Sequence, residues 1–440
     1  MKHNATSFAR AREAWENWVV FNSSVLDRLH RLLLPPDPVQ RALTLATITA
    51  SLSTGLFYSI SALYFTRVIG LAATTVGIGL TIAGAVGVLT SFLGGYAADR
   101  VGADRLQLGA NAVQGAALFA YVFATDAVAF TLIACVAVGS RSLQGSAKAT
   151  LQARWFLGAD RVGIRARLRV ITNVFIGLGT VLAGAALLVD TGTAYRTTMV
   201  AVGLFTAAAT VPLAGLRRVP GFAAVMDVHL DPDHVQGPSP LRDRTYLASA
   251  ALNSVIAMQF SMTSVGVPLW IVTRTEAPAV VISVLLVLNT VLVALFQVRA
   301  ARGTHDVLIA GRTVRRGSLL LATACLLYAA AGSVGMVVAV VLLVGGELLS
   351  TWAEIWCEAG GWGLAFELAD PRSAGAYQGL TQTGYSLASM VAPALVTATA
   401  VDHGWPGWAF LAVLFAASGT AVGVVAGRAA RRAVTVELVA

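Results

Sequence analysis

Long apolar stretches alternate with short polar segments along almost the whole chain. A transmembrane helix needs about 20 mostly apolar residues, and windows of that length predict twelve of them. These are 40–65, 71–97, 106–124, 127–151, 168–189, 195–216, 245–271, 277–298, 317–332, 335–357, 373–400 and 405–427. The pattern predicts an all-α polytopic membrane protein.

The longest internal polar stretch, 217–244, divides the predicted helices into two sets of six. It is rich in Pro and Asp and too short for a domain, so we interpret it as a cytoplasmic linker between pseudo-symmetric bundles at 39–216 and 245–427. Two related six-helix halves are typical of transporters. Residues 428–440 form a predicted cytoplasmic tail.

The first 38 residues place Phe8, Trp15, Trp18, Val25 and Leu29 at helical spacing, with arginines and glutamates filling much of the other face. This spacing predicts an amphipathic helix in the cytoplasmic interface. A frayed tail with incidental aromatics is the alternative.

Composition supports a lipid environment. Of the 440 residues, 57% are hydrophobic and 12% charged, against about 25% charged in average soluble domains. The net charge of +9 comes from arginines in short segments between apolar blocks, so we expect cytoplasmic loops and no nucleic-acid partner. With a cytoplasmic N-terminus, the external loops hold only Arg67, Arg196 and Arg274, which favours both termini inside.

Motifs for several other functions are missing. The sequence has no Walker-A phosphate loop and no HExxH or GxSxG string, so we expect no enzyme, catalytic residue or cofactor. The cysteines Cys135, Cys325 and Cys357 are far apart and predict neither a disulfide nor a metal site. Energy would then come from an ion gradient or from the substrate.

The loop after the second predicted helix reads GGYAADRVGADR. It resembles the loop signature of the major facilitator superfamily, and the resemblance implies the major facilitator fold. The matching positions, expected to form a conformational gate, are Gly95, Asp99, Arg100, Gly102 and Arg105. Ala103 and Asp104 depart from the signature, which usually has basic residues there.

Asp99 has a predicted docking partner. Asp370 and Pro371 have the residue types of a helix start, here that of the eleventh helix, whose positive end would stabilise a carboxylate near Ser373 and Ala374. The alternative is that Asp99 and Arg100 are merely solvated topology charges.

The fourth helix resembles the R-x-x-Q-G motif of proton-coupled members of that superfamily, through Arg141, Gln144 and Gly145. A mid-membrane arginine costs at least ~2.5 kcal/mol, so Arg141 should face a wet cavity or a partner. For Lys148 we prefer snorkelling to the interface.

The fifth helix has glycines that resemble those of drug:proton antiporters, at Gly177, Gly179 and Gly184. The proline usual in that motif is absent, and Thr180 follows Gly179. Ordinary close packing by small residues explains these glycines equally well.

Glu347 lies mid-span on the tenth helix and is the predicted proton-coupling carboxylate, because a buried carboxylate can exchange a proton. Arg141 is expected to tune it, and Glu354 is the next candidate. Glu354 and Glu358 follow on the same face and approach the cytoplasm, where the alternative is that they are only interfacial charges. Glu347 and Arg141 lie at similar depth on counterpart helices, within ~3 Å at 1.5 Å per residue. The alternative is a structural ion pair or helix–helix hydrogen bond.

Polar residues scattered over several helices predict a mostly neutral, aromatic-containing cavity. We expect it to suit an amphipathic or cationic organic compound better than a dianion, although interhelical hydrogen bonding can explain any single residue. The predicted lining is Tyr58, Gln144, Asn253, Gln259, Asn289, Gln378, Gln382, Tyr385 and Ser389.

Together, the residues and the resemblance predict proton-coupled export of a small drug- or antibiotic-type compound by alternating access. The expected setting is the cytoplasmic membrane of a high-GC bacterium, with the protein a monomer whose partners are substrate, protons and lipid. Alternatives are an uptake symporter and a transporter-like receptor or scaffold.

Overall fold

The computed structural model describes residues 33–227 and 235–439 of the chain. Most of the predicted N-terminal amphipathic segment and the middle of the linker lie outside the described residues. Twelve described helices are long and apolar enough to cross a membrane, which confirms the predicted fold class. They are α1 Pro38–Val68, α2 Ala73–Val101, α3 Ala103–Phe123, α4 Ala127–Trp155, α5 Ala159–Val189, α6 Gly192–Arg218, α7 Arg244–Arg274, α8 Val280–Ala300, α9 Val307–Ala331, α10 Met336–Glu367, α11 Pro371–Val401 and α12 Trp405–Arg432.

Aspartates fix where several of these helices begin. A side-chain oxygen of Asp126 accepts hydrogen bonds from the first backbone N–H groups of α4, at 2.9 Å. Asp243 does the same for α7 at 3.0 Å, and Asp306 accepts from the Ile309 N–H of α9 at 2.7 Å. Each satisfies backbone donors that the helix itself leaves without partners.

Three of these spans extend nine or ten residues beyond the windows that the apolar pattern predicted. Helix α5 begins at Ala159 rather than near 168, α9 at Val307 rather than near 317, and α10 runs to Glu367 rather than to about 357. In α5 and α10 the extra turns carry charged residues that end an apolar window. Two of these charges, Arg161 and Glu367, pair with each other between the two helices.

The buried aromatic residues form separate clusters in the two sets of helices. Tyr64, Phe65, Tyr121 and Phe130 belong to a cluster drawn from α1 to α6. Another, from α7 to α12, contains buried residues including Trp270, Tyr328, Trp408 and Phe415. A smaller cluster joins Val162 and Ala166 of α5 to Trp362 and Phe366 of α10, so α5 and α10 bring the halves into contact. The domain boundaries themselves stay a prediction.

The start of the predicted linker packs on the first six helices. A short helix, Phe222–Met226, buries both of its end residues. Arg217 pairs with Asp104 at 2.6 Å and with Asp227 at 2.8 Å. The first part of the linker is therefore attached to the end of the first half.

Candidate transport cavity and gate

The connections α2–α3, α4–α5, α6–α7, α8–α9 and α10–α11 lie at one end of the bundle, which we call the arginine-rich end. At this end, α2 and α11 approach at glycines. A side chain at Gly95 would collide with the backbone of Gly375 and Gly379, so glycine is required for this close crossing. Deeper in the membrane, the Ser91 and Ser386 hydroxyls are 2.7 Å apart.

Asp99 closes the α2–α11 contact. Its two carboxylate oxygens accept hydrogen bonds from the backbone N–H groups of Gly375 and Ala376, each at 2.8 Å. Arg154 of α4 forms an ion pair with the same carboxylate at 2.7 Å. The contact falls just beyond the predicted Ser373 and Ala374, since the first turn of α11 is a 3₁₀ turn.

The other residues of the loop signature lie beside this contact. Gly102 has a φ of 97°, a conformation that favours glycine, and it forms the turn between α2 and α3. Arg100 is exposed, and Arg105 lies 3.6 Å from Asp227.

The start of α11 is held by an aspartate of its own. Asp370 accepts hydrogen bonds from the Arg372 backbone N–H at 2.9 Å and from the Arg372 guanidinium at 2.8 Å. These bonds to the charged form hold the pKa of the Asp370 carboxyl below its usual range. The N-cap that the sequence predicted at Asp370 is therefore present, and Asp99 bonds to the N–H groups that follow it.

Helices α5 and α10 carry facing rows of opposite charge. Arg169 pairs with Glu354 at 2.7 Å, and Arg161 pairs with Glu367 at 3.8 Å. Between them, the Arg165 guanidinium lies 5.4 Å from the Trp362 ring centroid and has a buried nitrogen without a hydrogen-bond partner among the described residues. The three arginines were not among the site residues predicted from the sequence, although their spacing of four residues places them on one helix face.

A cavity of about 280 Å³ lies between the halves, bounded by α4, α5, α10 and α11. We call it the central cavity. Its charged residues are three cations, Lys148, Arg165 and Arg169, and one carboxylate, Glu358. The lining therefore differs from the mostly neutral one that the sequence predicted. Lys148 lies in the cavity and donates to the Thr47 hydroxyl at 2.8 Å, rather than extending to the interface.

Two of the predicted cavity residues, Gln382 and Tyr385, line the central cavity. The Tyr385 hydroxyl donates to Glu358 at 2.8 Å. Gln378 is buried against α10, where it donates to the Ala365 carbonyl at 2.7 Å. Ser389 is exposed and bonds within its own helix.

Glu347 lies inside the second half. It accepts a hydrogen bond from the Tyr328 hydroxyl at 2.9 Å and borders a separate cavity of about 310 Å³ between α7, α8 and α10. Asn289 also borders that cavity and donates to Glu354 at 3.0 Å and to Thr351 at 3.2 Å. Because Thr351 donates to Glu347 at 3.4 Å, a chain of hydrogen bonds connects Glu347 with the Arg169–Glu354 pair.

Arg141 has a partner in its own half. It donates to the Tyr58 hydroxyl at 2.6 Å and lies 5.6 Å from that ring's centroid. Both side chains are exposed beside a small cavity of about 70 Å³. Arg141 and Glu347 thus bond to different partners in different halves.

The three remaining predicted lining residues lie within helix contacts. Gln144 donates to Asn111 of α3, and Asn253 donates to the Ser249 carbonyl of its own helix. Gln259 is buried, and its amide has no hydrogen-bond partner among the described residues.

Comparison with known proteins places this architecture in a family. The family model described as Major Facilitator Superfamily matches residues 43–393. The chain belongs to the Major Facilitator Superfamily. It is therefore a multi-pass membrane transporter, and no enzyme family is indicated. No curated protein sequence matches the chain.

Two solved transporters share the fold at low sequence identity. The human organic anion transporter MFSD10 (TETRAN) aligns with a TM-score of 0.65 and 16% identity, over 88% of this chain and 99% of its own. A bacterial homologue of the iron transporter ferroportin, in an outward-facing state with soaked iron, aligns with a TM-score of 0.67 and 14% identity. That alignment covers 89% of this chain and 98% of the homologue. At these identities the likeness shows the fold alone.

Proposed function

We propose that this transporter exports a small amphipathic organic compound of drug or antibiotic type across a bacterial cytoplasmic membrane, coupled to proton entry. The arginine-rich end faces the cytoplasm, as expected from the distribution of basic residues. The observation that carries the proposal is the Arg169–Glu354 ion pair, which joins the two halves beside the central cavity.

Protonation can act directly on this pair. A neutral Glu354 no longer attracts the Arg169 guanidinium, so the contact between α5 and α10 weakens and opening at the arginine-rich end becomes more favourable. Glu347 takes part in the same proton coupling, because hydrogen bonds through Thr351 and Asn289 connect it to Glu354. Arg141 contributes a fixed positive charge on the exposed face of the first half.

A second candidate function is symport of an organic anion with protons, and the charge of the central cavity favours it. Lys148 and Arg165 form no ion pair with the described residues. An acidic group of a substrate could bridge them, and protonation of Glu354 would release Arg169 to join them. The human MFSD10 protein, which shares the fold, is an organic anion transporter, and this is consistent with the second candidate.

Transport in cells tests both candidates. The chain is expressed in a bacterial host deleted for its own exporters, and accumulation of labelled neutral, cationic and anionic amphipathic compounds is measured with and without a protonophore. Export predicts lower accumulation of at least one compound, restored by the protonophore. Higher, protonophore-sensitive accumulation of anions would overturn export in favour of symport, and unchanged accumulation of every class would contradict both.

A further inference from the structure

A second basic site lies away from the transport path. At the arginine-rich end, α9 and α12 enclose a groove of about 620 Å³, which we call the α9–α12 groove. Five arginines line it, and none of the described residues in its lining is acidic. The arginines are Arg312, Arg315, Arg428, Arg431 and Arg432.

Helical spacing gathers these arginines on facing surfaces. Arg312 and Arg315 are three residues apart on α9, and Arg428 and Arg432 are four apart on α12, so each pair shares one helix face. All four side chains are exposed. Gly427 leaves the space between them open, because a side-chain carbon added there would meet nothing within 4 Å.

The corresponding place in the first half is built differently. There, at the same end of α3 and α6, Arg217 pairs with Asp104 and Asp227 at 2.6 and 2.8 Å, and Arg105 lies 3.6 Å from Asp227. Two aspartates thus neutralise the basic charge at that position. A general preference for arginines on one side of the membrane explains basic residues in both halves, but not why the described lining of the α9–α12 groove lacks a carboxylate.

We propose that the α9–α12 groove binds the phosphate of an anionic phospholipid headgroup. Guanidinium groups match phosphate oxygens in two-point hydrogen bonds, and basic pockets between transmembrane helices are suited to anionic headgroups. The groove lies where α12 leaves the membrane, and the exposed Val424 beside it continues into the exposed apolar residues Val413 and Phe410 of the same helix. Acyl chains can lie along this surface while the phosphate contacts the arginines.

Native mass spectrometry of the full-length chain in detergent tests the proposal, with dioleoylphosphatidylglycerol as the anionic probe and dioleoylphosphatidylcholine as the neutral one. The groove variant replaces Arg312, Arg315, Arg428 and Arg432 by Gln. A matched control, R41Q/R218Q/R299Q/R302Q, removes four exposed arginines elsewhere at the same end. A third variant, Gly427→Leu, keeps every charge but fills the groove.

We expect the wild type and the control to retain phosphatidylglycerol over phosphatidylcholine, and the groove variant to bind it at least about tenfold more weakly. Gly427→Leu should also weaken binding, which a purely long-range charge effect would not produce. Equal retention by wild type and groove variant would overturn the proposal. Full displacement of the lipid by millimolar inorganic phosphate would also overturn it, in favour of a free phosphate anion as ligand. The thermal unfolding temperature of each variant without added lipid shows whether it is folded, and replacing the four arginines by Lys should restore part of the binding.

Discussion

Asp99 shows how one side chain can hold two helices together at the arginine-rich end. Its carboxylate accepts two backbone hydrogen bonds from α11 and pairs with Arg154 of α4. Hydrogen bonds to a charged group typically contribute about 1.5–3 kcal/mol each. Asp99 therefore stabilises the arrangement in which the two halves are in contact at this end.

Asp99→Asn should destabilise this closed arrangement, because the amide is neutral and cannot accept through both of its terminal atoms. A loss of about 2 kcal/mol corresponds to roughly a 30-fold shift toward the open form. The measurement is labelling of a cysteine introduced at Gln152, in the central cavity, by an impermeant thiol reagent added at the arginine-rich end of a variant without the native cysteines. Arg302→Gln is the control, since Arg302 is an exposed charged residue at the same end but outside the loop signature. Equal labelling of Asp99→Asn and wild type would contradict a gating role.

Single residues also show where sequence reasoning succeeds and where it stops. The partner of Asp99 could be predicted to within about two residues, because a loop carboxylate and a helix start each leave a local pattern. The Arg169–Glu354 pair could not, because its members lie 185 positions apart and no local pattern links them. Gln378 looked like a cavity residue, yet it bonds to a backbone carbonyl of α10, a contact that depends on tertiary packing.

Helix α2 meets α11 along a stripe of small residues. Gly95 lies against Gly375 and Gly379, and Ser91 bonds to Ser386 one turn deeper. Close backbone approach lets many weak contacts form along the crossing. The two helices can lie this close together because the glycines at their contact have no side chains.

Gly95→Leu should force α2 and α11 apart, because the new side chain would overlap the α11 backbone. The separation is measured by the rate at which cysteines introduced at Ser91 and Ser386 form a disulfide. This rate should fall at least about tenfold, and the corresponding free-energy change is comparable to the cost of overpacking in protein cores. Gly84→Ala provides the control on the same helix, since its added carbon would lie 3.4 Å from a flexible methionine. A Gly95→Leu variant that cross-links as fast as the control would contradict the close packing described.

At the scale of elements, the apolar pattern predicted the number of helices but not the true length of all of them. Helix α5 begins at Ala159, well before the predicted start at 168. A hydropathy window counts Arg161 and Arg165 as polar, whereas the structure pairs or stacks them against α10. Charges satisfied by a neighbouring helix cannot be recognised from one helix alone.

Three kinds of contact join the two six-helix halves at the arginine-rich end. Glycines and Asp99 join α2 to α11, ion pairs join α5 to α10, and apolar residues of those two helices form a shared cluster. The central cavity lies beside the ion pairs. Opening at the arginine-rich end therefore requires these contacts to break together, and Glu354 forms one of the ion pairs among them.

The most direct test of this account is proton-gradient-driven transport in proteoliposomes, using a compound identified in the cellular screen. Wild type is compared with Glu354→Gln and Glu347→Gln. Asp402→Asn is the control, since Asp402 is an exposed carboxylate at the opposite end of the bundle, away from the contacts between the halves. The account predicts that both buried-carboxylate variants lose gradient-driven transport but keep substrate exchange without a gradient, while the control keeps both. Gradient-driven transport by Glu354→Gln at the wild-type rate would contradict it.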